Sequence, residues 1–129
     1  MVLLALACVA ILLTPIALPP TVLDIQSNPE DFEGDKITLT GKVIGSDPKG
    51  TLLLMGYEQP LSDRDFILHD GSGMIYVSTL MKILVNGETK YKEYIVLEGW
   101  EVKIIGVIEL DIYGHPFLHA TEKPIVLLS

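Results

Sequence analysis

Cysteine, N-terminal charge and catalytic motifs are what this chain lacks, and each lack closes off a class of explanation. The one cysteine, Cys8, has no intramolecular partner, so no disulfide staples the fold and the fold must rest on packing. No C-x-x-C-H run occurs, which excludes covalent c-type haem. No nucleophile stands beside an evident base, and there is no glycine-rich phosphate loop and no spaced carboxylate pair. The expectation is a protein that is not an enzyme and has no small-molecule substrate and no cofactor.

Basic charge is absent before Lys36, although the whole chain of 129 residues carries nine basic side chains. Asp24, Glu30, Asp31, Glu33 and Asp35 crowd one short stretch, and beyond them 12 acidic residues face 9 basic ones, a net charge of -3 within a total of -8. Affinity for nucleic acid comes mostly from phosphate neutralisation, which an acidic body does not favour. The length allows one domain of about 100 residues with a single core, plus an appendage.

The appendage is the uncharged run 1–23, which accounts for much of the mean hydropathy of +0.42. Residues 2–18 (VLLALACVAILLTPIAL) are at the lower limit for crossing a hydrocarbon core of about 30 Å. This run is a short spanning helix, a signal-peptide core or an amphiphilic anchor. It lacks a basic n-region and a convincing A-x-A cleavage site. The anchor reading assigns the lipid contacts to Val2, Leu3, Leu4, Leu6, Val9, Ile11, Leu12 and Leu13. The acidic flank says little about orientation, since the positive-inside rule counts basic residues; placement outside the cytoplasm is the expectation. A helix folded back into the globule, or packed against other subunits, is the bland alternative. Pro15, Pro19 and Pro20 should end the helix, and Asn28 with Pro29 reads as a cap and first position of one helical turn. The organisation is therefore a hydrophobic helix at 1–23, an acidic linker at 24–35 and a β domain at 36–129.

In that domain Ile37, Leu39, Gly41 and Val43 alternate with Thr38, Thr40 and Lys42, the period of a strand with one face on a core. Residues 66–77 (FILHDGSGMIYV) form the clearest hairpin, with Phe66, Leu68, Ile75 and Val77 inward and Ile67, His69, Met74 and Tyr76 on the other face. Asn86-Gly87 signals a second hairpin between strands at 82–85 and 89–94. Residues 101–110 (EVKIIGVIEL) read as a long strand in which Gly106 allows a bend or close packing. Residues 116–121 and 125–128 supply the last strands. Five or more short strands with internal glycines and little helix predict an all-β fold, a small five-stranded or slightly larger Greek-key barrel behind an N-terminal hydrophobic helix.

The order Gly41-Lys42-Val43, then residues 66–77, then Gly99-Trp100-Glu101-Val102-Lys103-Ile104-Ile105-Gly106 resembles the OB-fold superfamily. There a G-x-V strand precedes an F-x-L-x-D-x-x-G-x-I-x-V hairpin and a G-x-x-V-x-V-x-G strand. Within it, Tyr91-Lys92-Glu93-Tyr94-Ile95-Val96-Leu97 and the ending Lys123-Pro124-Ile125-Val126-Leu127-Leu128-Ser129 are similar to the non-cytosolic OB-like domain of GIDE-type membrane proteins. Eukaryotic members carry ubiquitin-ligase activity in a RING domain, which a chain with one cysteine cannot build. An anchored OB-fold is also similar to the haem chaperone of cytochrome maturation, but no tyrosine follows His115 or His119 as its haem attachment implies.

Candidate sites are few. His115 and His119 form H-x-x-x-H, which on a strand spans about 13 Å, too far for one ion, so no metal site is expected. Tyr57, His69 and Tyr76 on the outer barrel face could stack the bases of a single strand, the usual work of an OB-fold's outer face; cross-strand packing is the bland reading. Trp100 suits a membrane interface, a barrel plug or a partner contact. The reading is a membrane-anchored, extracytoplasmic module that binds a protein partner or serves as an assembly subunit. Binding of single-stranded nucleic acid and self-association into an oligomer or filament, with the hydrophobic helix as core, are the alternatives.

Overall fold

The computed structural model describes residues 18–45 and 65–129. Alternation builds strand β1 (Lys36–Gly45): Ile37, Leu39 and Val43 are buried, whereas Thr38, Thr40 and Lys42 face out. Strands β2 (Phe66–His69) and β3 (Met74–Ser78) form the expected hairpin. Then come β4 (Met81–Val85), β5 (Glu88–Lys92), β6 (Glu101–Leu110), β7 (Pro116–Ala120) and β8 (Ile125–Leu128).

The sheet runs β1-β2-β3-β7-β6, and β6 pairs back onto β1 over Lys36–Lys42, so five strands close into a barrel. Every pairing is antiparallel except β3 with β7. Closure leaves no edge within the ring, and this barrel is compatible with an OB-like fold. β8 joins β6 outside the ring.

Gly106 and Gly41 are needed for close approach. A Cβ at Gly106 would press into the backbone carbonyl of His119, and one at Gly41 into that of His69. Gly106 also marks where the outer edge of β6 passes from β8, at Glu101–Lys103, to β7, at Gly106–Leu110. The expectation for this strand is met, and contact with the crossing backbone is the reason.

β4 and β5 form the predicted Asn86-Gly87 hairpin, with Asn86 at φ 52° and Gly87 at φ 80°, the two positive values a two-residue turn requires. Yet the hairpin is a sheet of its own, an arm outside the barrel with every residue of β5 exposed.

The segment expected as an acidic linker is folded instead. Thr21 opens helix α1 (Val22–Ser27) with a reciprocal box: its Oγ1 accepts from the Asp24 amide at 3.2 Å, and Asp24 Oδ2 accepts from the Thr21 amide at 2.9 Å. Val22 and Ile25 enter the barrel core with Phe66, Leu68, Ile75 and Ile108. Burying two aliphatic side chains contributes about 3–6 kcal/mol, which offsets the five carboxylates nearby. Helix α2 (Pro29–Phe32) follows with Pro29 in its first turn as expected, although the Asn28 side chain makes no capping bond. Ties from the Gly34 amide to Ile108 O at 2.8 Å and from the Ile108 amide to Asp35 O at 3.1 Å hold the segment onto β6.

Among the described residues no helix is long and apolar enough to cross a membrane. The expected N-terminal helix over 1–23 falls mostly on residues outside those described, as do all eight anchor residues, Val2, Leu3, Leu4, Leu6, Val9, Ile11, Leu12 and Leu13. Its last two residues, Val22 and Leu23, belong to α1, because the Thr21 cap starts a new helix whose apolar side meets the barrel.

Candidate functional site

An open groove of about 400 Å³ lies between the arm and the outer wall of the barrel, lined by Met81, Ile83, Val107, Glu109, His119 and Ala120 among others. Alternation places the polar pair there. On β6, Val102, Ile104 and Ile108 point inward, so Val107 and Glu109 point out, and the β6–β7 register sets His119 opposite Val107. His119 Nδ1 lies 3.0 Å from Glu109 Oε2, and its Nε2 lies 2.5 Å from the carbonyl oxygen of Leu80, the residue that leads into the arm. Each ring nitrogen faces an acceptor oxygen. The imidazole latches the arm to the barrel. A second tie pairs Thr79 Oγ1 with the backbone of Tyr94 at the other end of the arm.

His115 has a different partner. Its Nδ1 lies 3.3 Å from Asp111 Oδ2, while Asp111 Oδ1 accepts from the amides of Tyr113 and His115, closing the β6–β7 turn. The two histidines of H-x-x-x-H therefore serve separate carboxylates. Among the described residues no group of three or more metal-ligating side chains occurs.

The proposed stacking surface has a different character from the one its sequence suggests. Tyr76 does lie opposite the core, but it is only 2% exposed, packed with Ile67, Phe117 and Ile44 in a second apolar cluster. Its ring meets Phe117 at 6.0 Å and 52°, and its hydroxyl donates to the buried Asp65 carboxylate. A ring covered on this scale cannot receive a base. His69 is half-buried at the end of β2, where its Nδ1 accepts from the Gly71 amide at 3.0 Å. Tyr57 lies outside the described residues. Trp100 is half-buried against the core, closer to a plug than to a free interfacial ring.

A further polar cluster centres on the β2–β3 turn. Asp70, in the β2–β3 turn, accepts from the Val22 amide at 2.9 Å through Oδ2, and from the Ser72 amide, the Ser72 hydroxyl and the Gly73 amide through Oδ1. Partial burial raises its carboxyl, but the Ser72 hydroxyl and the Val22, Ser72 and Gly73 amides outweigh this and hold it below the usual value of 3.8. Gln26 adds a bond from its amide to Met74 O. Aspartate before Gly-Ser-Gly signals a turn in the sequence, but nothing there shows that a helix 48 residues earlier uses it as a cap.

Apolar exposure marks the remaining surface: Leu84 (75%) and Tyr91 (67%) on the arm, Ile95 and Leu97 after it, and all four residues of β8. Comparison with known protein families, curated proteins and solved structures finds no match.

Proposed function

We propose that this chain is a non-enzymatic OB-like module, tethered to a membrane by its apolar N-terminal run with the barrel on the non-cytoplasmic side, that holds a protein partner or serves as an assembly subunit. The observation that carries this reading is where the apolar surface lies. On the outer face of β2, β3 and β7, which in OB-folds receives single strands, Ile67, Tyr76 and Phe117 are buried, while aliphatic side chains on the arm and β8 face solvent. Protein surfaces take up such side chains; phosphates do not. The net charge of -8 supports the same choice.

The OB-like assignment draws support from the closed five-strand order and the parallel β3–β7 pairing. The similarity to the non-cytosolic domain of GIDE-type proteins rests on the sequence of residues 91–97, which lead into the Gly99–Gly106 strand, and of residues 123–129.

The full chain, expressed in cells, should sediment with membranes after an alkaline wash, and its barrel should be open to protease added from the non-cytoplasmic side. Recovery of all the protein in the soluble cytosolic fraction would defeat the tether. Salt-sensitive capture of a single-stranded oligonucleotide would replace the protein partner with nucleic acid.

A further inference from the structure

β8 is the least covered of the described strands that join the main sheet. Ile125, Val126, Leu127 and Leu128 are all apolar and 44–62% exposed. Among the described residues the strand pairs with β6 alone, and no backbone hydrogen bond reaches its far edge. Elsewhere this chain manages its edges. The ring closes on itself, and the arm carries Lys82, Lys90 and Lys92, charges of the kind that discourage strand addition. β8 has no charge at all.

Resting on the assembly-subunit reading above, we propose that β8 pairs antiparallel with β8 of a second copy about a two-fold axis, joining two barrels through one continuous sheet. Two observations favour a second copy over a foreign strand. Self-pairing sets aliphatic against aliphatic along the whole strand. The β6 register then supplies matching charge: Lys103 lies beside Ile125, and Glu101 lies beside Leu128. The bulge between Glu101 and Val102 keeps Leu128 level with Glu101 and leaves Leu127 as the extra residue. A two-fold through the middle of β8 sets Ile125 against the second copy's Leu128. Each flank of the junction then reads Lys103, Ile125, the second copy's Leu128, the second copy's Glu101. The charged rows stand about 14 Å apart at the backbone, three strand spacings, and their long side chains lean toward opposite sign across the apolar pair. A foreign strand has no such built-in match. The contact is isologous, so it closes at two copies and does not propagate into a fibre.

The test is the association state of the full chain in mild detergent, by sedimentation velocity and light scattering over a concentration series. The parent is compared with Ile125→Lys/Leu128→Lys, with Glu101→Lys, and with the swapped pair Glu101→Lys/Lys103→Glu. The parent should dimerise, and the two edge lysines should raise the dissociation constant roughly tenfold or more. Glu101→Lys should weaken the dimer severalfold at low salt, and the swapped pair should restore it, a recovery that association through the N-terminal run alone would not produce. Thermal melts by circular dichroism should be nearly unchanged, because the substituted side chains are exposed. A parent that stays monomeric up to about 0.1 mM overturns the pairing. A dimer indifferent to the edge lysines also overturns it, but leaves the broader reading standing, since association then runs through another surface. The broader reading fails separately, in the membrane fractionation.

Discussion

Replacing Asp70 with alanine should loosen helix α1 while leaving the barrel closed. Its carboxylate accepts four hydrogen bonds, of which those from the Val22 and Gly73 amides are partly buried and the two from Ser72 are exposed. Water replaces the acceptor at the exposed donors, so the loss should be that of a helix cap, about 1–2 kcal/mol. Burial of Val22 and Ile25, worth about 3–6 kcal/mol, exceeds that loss, so α1 should stay docked but open more often. Hydrogen exchange reads this directly: the Ile25 and Asn28 amides, bonded to Thr21 O and Asp24 O, should exchange about 5–30-fold faster. Asp70→Asn should behave similarly, because its amide would turn a donor toward the Val22 N–H. The pH dependence has a definite sign. A carboxylate held below its ordinary value stabilises the fold fully above the unfolded value of 3.8, and that contribution fades as pH falls through the lower folded value. The gap in urea stability between parent and Asp70→Ala should therefore be largest at neutral pH and narrow in strong acid, where the protonated carboxyl still accepts but without its charge. Equal stability and equal Ile25 exchange at neutral pH would refute the reasoning. So would a gap that fails to narrow once the carboxyl is protonated.

Three further substitutions probe the barrel and its arm. Gly106→Ala places a methyl group against the His119 backbone, so it should destabilise the fold by about 2 kcal/mol or more in chemical denaturation, whereas Gly87→Ala, in the open turn at positive φ, should cost only about 1 kcal/mol. Tyr76→Ala should lose about 3 kcal/mol or more as a buried aromatic truncation, measured by the denaturation midpoint; a variant as stable as the parent would return Tyr76 to the role of an exposed contact.

Much of the fold was legible because the barrel strands obey local rules. Period-two alternation marked β1 and β6, the turn at Asp70–Gly73 marked the β2–β3 hairpin, and Asn86-Gly87 marked the arm. These signals concern neighbours along the chain, where pleat and turn chemistry act within a few residues. Where local rules gave the wrong answer, they did so for the same reason. Alternation correctly put Tyr76 on the face opposite the core, but its burial there, clustered with Ile67, Phe117 and Ile44 from three other strands, is a matter of tertiary packing. The acidic stretch after Thr21 looks like solvated linker because composition is averaged along it. Val22 and Ile25, just two side chains, decide its fate by entering the barrel.

By itself, then, the sequence determined the alternating strands, the turns between them, the lack of any disulfide and the concentration of acid near residues 24–35. Tertiary structure alone decided that β6 returns to β1, that Asp70 caps a helix from 48 residues away and that His119 bridges Glu109 to the Leu80 carbonyl. The physical reason is the range of the forces involved. Backbone geometry and side-chain period are settled among adjacent residues, whereas closure, capping at a distance and the burial of an outer face depend on which distant surfaces the chain brings together.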